Sequence, residues 1–167
     1  MLTERTILLV DDSVDDTMLI RRAFKSAGFE NPLQTVPSAH IALQYLRGEG
    51  SYADRAKFPF PHLLLLDHRM PGMSGWEVLE WIRKQPVLNS LPVIIFSGSD
   101  SPGDEKKATE MGATAYIAKP VSFTQFVDAI KRIAEFWLLS PGKLPADDPN
   151  FPNSQIGHRI PHHPSSG

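Results

Sequence analysis

Four short apolar runs in this chain each end on a residue of defined chemistry. Ile7-Leu8-Leu9-Val10 leads into Asp11-Asp12, Leu63-Leu64-Leu65-Leu66 into Asp67, Val93-Ile94-Ile95-Phe96 into Ser97, and Ala115-Tyr116-Ile117-Ala118 into Lys119-Pro120. Apolar runs of this length, bounded by turn signals and separated by helical patterns, read as buried strands of a parallel sheet. With a shorter run at Leu33–Val36, the pattern predicts strands over 6–10, 33–36, 63–67, 92–97 and 114–119. Between them, Ser13 caps a helix over 14–27 that ends at Gly28, and Ser38 precedes a helix to Arg47 that ends at Gly48. The turn Met70-Pro71-Gly72-Met73-Ser74-Gly75 leads into a helix over 76–84, stopped before Pro86. A weaker helix spans 103–111. The last, over 122–139, carries Phe123, Phe126, Val127, Ile130, Ile133, Ala134 and Trp137 on one face. Gly48–His62 reads as a polar, proline-containing loop, long for a compact domain and of the kind that often makes contacts.

Five strand–helix units joined by right-handed crossovers predict an α/β fold: a doubly wound, five-stranded parallel sheet with helices on both faces. Ligands of such sheets bind outside the carboxyl ends of the strands, so the polar run-ends should converge on one edge. After residue 139 the composition changes. Residues 140–167 carry Pro141, Pro145, Pro149, Pro152, Pro161 and Pro164 with few apolar side chains, and are expected to form a flexible tail behind a domain spanning 1–139. The net charge of −2 argues against non-specific nucleic-acid binding, and the absence of cysteine excludes disulfides and thiolate-bound metal. The N-terminus does not read as a signal peptide, and no apolar run is long enough to cross a bilayer, so the expected location is cytoplasmic.

Three carboxylates gathered at one sheet edge repel one another and raise each other's pKa values. A Mg²⁺ ion and a lysine ammonium relieve that repulsion; Mg²⁺ takes one or two carboxylates and completes its shell with waters, carbonyls and phosphate oxygens. Asp12 and Asp67 can supply the carboxylates, with Asp11 acting through water and a backbone carbonyl just after Asp67 completing the shell. One carboxylate can then act as nucleophile toward a phosphoryl group, and Asp67 stands alone at a central strand end before a tight turn. A plainer origin exists for several of these residues. Asp11-Asp12 also suits a helix N-terminus, Ser97 a polar loop, and Tyr116 sheet packing. His68 is a candidate pH switch or metal ligand, or simply a residue packed beside the strand end. His158, His162 and His163 read as solvated tail residues, and Phe136 and Leu139 as a candidate dimer or partner patch. A flavin-phosphate loop would clash with Asp11, Asp12, Asp15 and Asp16. A haloacid-dehalogenase-like phosphatase would want an aspartate where Arg69 stands.

Asp11-Asp12, the run Leu66-Asp67-His68-Arg69-Met70-Pro71-Gly72-Met73-Ser74-Gly75, Ser97 at 30 residues beyond Asp67, Tyr116 and Lys119-Pro120 together resemble the receiver domain of bacterial two-component response regulators. The resemblance covers about residues 5–139. It implies a flavodoxin-like strand order 2-1-3-4-5. It also implies phosphorylation of Asp67 by a histidine kinase or histidine phosphotransfer protein. Mg²⁺ would be held by Asp12, Asp67 and the Arg69 carbonyl, with Asp11 holding a metal-bound water. Lys119 would contact the phosphoryl group, and Ser97 and Tyr116 would act as the switch pair that remodels the surface of the fourth helix, fifth strand and fifth helix. Kinase docking is implied around the start of the first helix and Pro120-Val121-Ser122. Leu46-Arg47-Gly48-Glu49-Gly50 with Tyr52, Gly75-Trp76-Glu77-Val78-Leu79 and Phe136-Trp137-Leu138 look similar to single-domain regulators paired with bacterial phytochrome kinases, a group whose members often form homodimers. Such a protein is not an enzyme beyond its own phosphorylation and dephosphorylation. Its output goes through protein contacts, without nucleic acid or membrane. Two departures stand out: His68 and Arg69 replace more usual apolar and small polar residues, and Ser97 replaces threonine. The competing reading is a phosphorylation-independent interaction module on the same fold.

Overall fold

The computed structural model describes residues 5–98, 102–119 and 122–139, with Ser97, Pro102 and residues 133–139 described by backbone alone. The strands are β1 (Ile7–Val10), β2 (Leu33–Val36), β3 (Leu63–Asp67), β4 (Val93–Ser97) and β5 (Ala115–Ala118). The helices are α1 (Val14–Ser26), α2 (Ala39–Arg47), α3 (Gly75–Lys84), α4 (Pro102–Glu110) and α5 (Phe123–Leu139). All strand pairs are parallel, in the order β2-β1-β3-β4-β5. The fold is therefore the doubly wound parallel sheet that the apolar runs predict, with the flavodoxin-like strand order that the resemblance implies. Element ends differ from the sequence-based ones by a residue or so, as helix and strand termini commonly do.

Strand side chains alternate between faces, so each run of four feeds two cores. Ile7, Leu9, Leu63, Leu65, Ile94, Phe96, Ala115 and Ile117 pack against Ile20, Ala23 and Phe24 of α1 and Phe126, Ala129 and Ile130 of α5. Leu8, Val10, Leu64, Leu66, Val93, Ile95 and Tyr116 face α2, α3 and Ala108 of α4. Ser13 Oγ accepts the Asp16 N–H at 3.2 Å and starts α1; the Glu77 carboxylate accepts the Ser74 N–H at 2.8 Å and starts α3. Gly28 and Gly48 follow α1 and α2 with positive φ, as helix-ending glycines do.

Two expectations need correction. Phe123, assigned to the apolar face of α5, is 41% exposed, and Ala129 takes a place in the core instead. Helical periodicity marks a face, but the first turn of α5 projects past the core it covers. The side chains of Ile133, Ala134, Phe136, Trp137 and Leu139 lie outside the described residues, as do residues 140–167 with their histidines. The Gly48–His62 segment is not a plain polar loop. It carries a 3₁₀ turn at Gly50–Tyr52 and an aromatic cluster in which the rings of Tyr45, Tyr52 and Phe58 lie 4.9 to 6.0 Å apart. Tyr45 Oη donates to Pro59 O at 2.7 Å. The Arg55 guanidinium donates to the Tyr45 and Leu46 carbonyls in the last turn of α2 at 2.7 and 2.9 Å, and to the Phe58 carbonyl of the loop at 3.3 Å. No helix among the described residues is long and apolar enough to cross a membrane.

Candidate functional site

Register brings the strand ends together. Val10 pairs with Leu66, Asp67 with Phe96, and Ser97 with Ala118, so Asp11, Asp67, Ser97 and Lys119 follow one another across three adjacent strand junctions. Alternation then sorts them by face. Asp11, Asp67 and Lys119 continue the series of Leu9, Leu65 and Ile117, whose core is closed by α1 and α5. Ligand oxygens of Asp11, Asp12 and Asp67 all lie within 4.8 Å of one another. Asp11 and Asp67 are buried, whereas Asp12 is exposed.

Each buried acid is held by the backbone just after it. Asp11 Oδ1 accepts the Ser13 N–H at 2.9 Å, and Asp67 Oδ1 accepts the Arg69 N–H at 3.0 Å. These bonds leave the Oδ2 atoms turned toward Lys119. Its Nζ lies 2.7 Å from Asp11 Oδ2 and 3.8 Å from Asp67 Oδ2, and a further contact of 2.8 Å reaches Asp16 Oδ2 of α1. Burial pushes the Asp67 carboxyl up to about 6; Asp11 and Asp12 add smaller upward effects, while the Arg69 N–H and Lys119 pull the other way. Mutual repulsion among the acids is thus the lesser cause, and desolvation at the sheet edge the greater. Burial works against the charge on Lys119, yet its bonds to Asp11 and Asp16 outweigh that and raise its pKa.

The opposite face of the same edge carries a second cluster. His68 is 5% exposed, and its ring lies tilted, with centroids 4.7 Å from Trp76 of α3 and 6.3 Å from Tyr116 of β5. Its Nε2 lies 3.2 Å from Asp104 of α4, which Arg69 also approaches at 3.6 Å. His68 is thus packed beside the strand end while touching Asp104, and burial lowers its pKa against the pull of that carboxylate. Tyr116 is buried to 1% within the core of this face. Lys107 of α4 sits 5.1 Å over the Trp76 ring. Among the described side chains of α4 only Ala108 is buried, and these polar and cation–π contacts tie that helix to the turn after β3 and to α3.

Gly75 has its own part in the geometry. A Cβ there would fall 2.6 Å from His68 Cα and closer still to the Asp67 carbonyl oxygen, and the Gly75 N–H donates to His68 O at 3.2 Å. The start of α3 can approach the turn after Asp67 only because position 75 has no side chain. Beside the acid cluster, Val14 and Met18 on one face of α1 are 73% and 57% exposed, and Phe123 lies at the start of α5.

Of the residues singled out from the sequence, Asp11, Asp12, Asp67 and Lys119 come together. Ser97 ends β4 in register with them, with its side chain outside the described residues, as are Pro120 and Val121 entirely. Arg69 contributes its N–H to Asp67. Sequence reasoning missed Asp16 as a partner of Lys119 and Asp104 as a partner of His68. Both sit in first helical turns, where an acid is expected for the helix dipole alone. Their partners depend on the helix's rotation over the sheet.

Residues 7–131 match the response regulator receiver domain. The "Probable methanogenesis regulatory protein FilR2" of Methanothrix harundinacea is 36% identical over 81% of this chain and 87% of its own length. Response regulator Rcp1 of Synechocystis is 29% identical over 80% of this chain and 89% of its own. The Mn²⁺-bound structure of Rcp1 aligns with a TM-score of 0.72 at 28% identity, covering 84% of this chain and 98% of that one. The structure of the phosphorylated cyanobacterial phytochrome response regulator RcpA aligns with a TM-score of 0.75 at 34% identity, covering 85% and 99%. With a parallel sheet in the order β2-β1-β3-β4-β5, an acid triad at its carboxyl edge and a family match across most of the chain, this protein belongs to the response regulator receiver domain family.

Proposed function

We propose that the chain is a phosphorylation switch in which Asp67 accepts a phosphoryl group from a histidine kinase or histidine phosphotransfer protein, with Mg²⁺ as cofactor. The observation that carries this is the convergence of Asp11, Asp12 and Asp67 within 4.8 Å, with the Lys119 ammonium beside them. The donor set is all hard oxygen, which suits Mg²⁺. Asp12, Asp67 and the Arg69 carbonyl would hold it, with Asp11 acting through water. When bound, Mg²⁺ offsets negative charge on the acceptor and phosphoryl oxygens. That Rcp1 has been solved with Mn²⁺ and RcpA in phosphorylated form supports the same reading here.

The chain's residues supply orientation. The Arg69 N–H fixes Asp67 Oδ1 and presents Oδ2 to the incoming phosphorus. Attack by Oδ2 forms the acyl phosphate O–P bond as the bond from phosphorus to the donor nitrogen breaks. The electron pair leaves with the imidazole, and Lys119 donates hydrogen bonds to the transferred oxygens. Ser97 and Tyr116 serve as the switch pair, and the surface of α4, β5 and α5 as the output face. We assign residues 1–139 to the receiver domain and 140–167 to a proline-rich tail. The exposed Val14 and Met18 suit docking of the phosphodonor, for which a phytochrome-type kinase is the expected source. A homodimer is the expected assembly.

Mg²⁺ titration tests the metal assignment. Asp12→Asn and Asp67→Asn are each expected to weaken Mg²⁺ binding at least tenfold, because each removes one of few charged ligands. Wild-type affinity in both variants, followed by calorimetry, would move the ion elsewhere.

A further inference from the structure

Lys119 is held by two carboxylates, and only one belongs to the acid triad. Its ammonium lies 2.7 Å from Asp11 Oδ2 and 2.8 Å from Asp16 Oδ2. Both are lengths typical of charge-assisted hydrogen bonds. Asp67 Oδ2 stands at 3.8 Å, beyond hydrogen-bond reach. Asp16 approaches from α1, whose first turn is fixed by the Ser13 cap on the Asp16 N–H. The Asp16 side chain is 40% exposed, against 1% for Asp11, so Asp16 is the partner that can be released to water without opening the core.

We propose that Asp16 is a positioning residue that holds Lys119 back from Asp67, so that phosphorylation must draw the ammonium away from it. This rests on the reading of Asp67 as the phosphoryl acceptor. An ammonium has three N–H bonds, and two are committed to Asp11 and Asp16. A phosphoryl group on Asp67 places several anionic oxygens beside Nζ. Lys119 meets them by turning from Asp16, which is half in solvent and readily rehydrated. The Lys119–Asp16 contact exists only in the unmodified arrangement. Whatever it contributes there is subtracted from the affinity of the site for a phosphoryl group. Asp16 thus sets how strongly the switch resists being turned on, from a position on the solvent side of the site.

The test is a beryllofluoride titration at saturating Mg²⁺, comparing wild type, Asp16→Asn and Asp16→Ala, with Asp15→Asn as a control for charge in the same helical turn. Both Asp16 variants should bind beryllofluoride about threefold to fivefold more tightly, the range for a partly exposed ion pair. Asp15→Asn should bind as wild type does. The gain should vanish when Asp16→Asn is combined with Lys119→Ala, because the effect acts through the ammonium. A general loss of folding would weaken binding instead. Unchanged or weaker binding in the Asp16 variants, an equal gain in Asp15→Asn, or a gain that survives Lys119→Ala would overturn the role of Asp16. A wild-type protein that binds no beryllofluoride would overturn the acceptor reading itself, and this inference with it.

Discussion

Asp67→Asn should make the metal-free protein more stable at pH 8 while abolishing its capacity to be phosphorylated. The Asp67 carboxyl titrates at about 6 in the fold, against 3.8 when unperturbed, chiefly because it is buried. A raised acid pKa means that the fold holds the proton more tightly than the unfolded chain does. Below about pH 3.8 both states are protonated and the group is neutral toward stability. As pH rises through the window between 3.8 and about 6, the folded carboxylate must be ionised in a dry site and stability is lost. Above the window the loss is complete, and a shift of roughly two units corresponds to about 3 kcal/mol. The amide removes that cost without changing shape. Thermal unfolding in EDTA should show Asp67→Asn melting above wild type at pH 8, with the gap closing on acidification toward pH 4. Mg²⁺ should narrow the gap at pH 8, since the wild-type site binds it more tightly and gains more from it. A variant no more stable than wild type at pH 8 in EDTA would mean that the acid cluster is not strained without metal.

Gly75→Ala is expected to be the most damaging small substitution near the site. The added Cβ runs into the peptide between Asp67 and His68, and backbone cannot swing aside as a side-chain tip can. Overpacking of this kind costs about 3 kcal/mol, roughly 10 °C in melting temperature for a domain of this size. The displaced segment carries Asp67 and His68, so Mg²⁺ affinity should fall together with stability. Denaturant unfolding and a Mg²⁺ titration of one preparation read both effects. Full stability with normal Mg²⁺ binding would show that α3 can retreat from β3 without disturbing Asp67.

The parallel sheet was legible because Ile7–Val10, Leu63–Leu66 and Val93–Phe96 are apolar on both faces, which only a doubly covered sheet accommodates. The acid cluster was legible for the same reason: Asp11, Asp67 and Lys119 each end such a run, and parallel strands carry their carboxyl ends to one edge. What stayed hidden depends on angles that a linear pattern does not contain. Asp16 meets Lys119 because of the rotation of α1 over β5. Asp104 meets His68 because α4, with little apolar surface of its own, is set down against the end of β3. Nothing in the pattern marks Arg55, which bonds the Tyr45 and Leu46 carbonyls at the end of α2 and the Phe58 carbonyl of the loop that follows. Alternation also divides the edge into two environments. Asp11, Asp67 and Lys119 lie on the α1/α5 side, whereas His68 and Tyr116 lie against α3 and α4. The proposed switch pair links the two faces through β4 and β5, where Ser97 and Tyr116 stand.

The most direct test of Asp67 as a Mg²⁺-dependent phosphoryl acceptor is intact mass after incubation with acetyl phosphate, for wild type and Asp67→Asn, with Mg²⁺ and with EDTA. The expected result is a single phosphoryl adduct on the wild-type protein in Mg²⁺ alone, and none on Asp67→Asn. An adduct of equal yield on Asp67→Asn, or one indifferent to EDTA, would contradict the assignment. A wild-type protein that takes up neither acetyl phosphate nor beryllofluoride would favour a phosphorylation-independent interaction module built on the same fold.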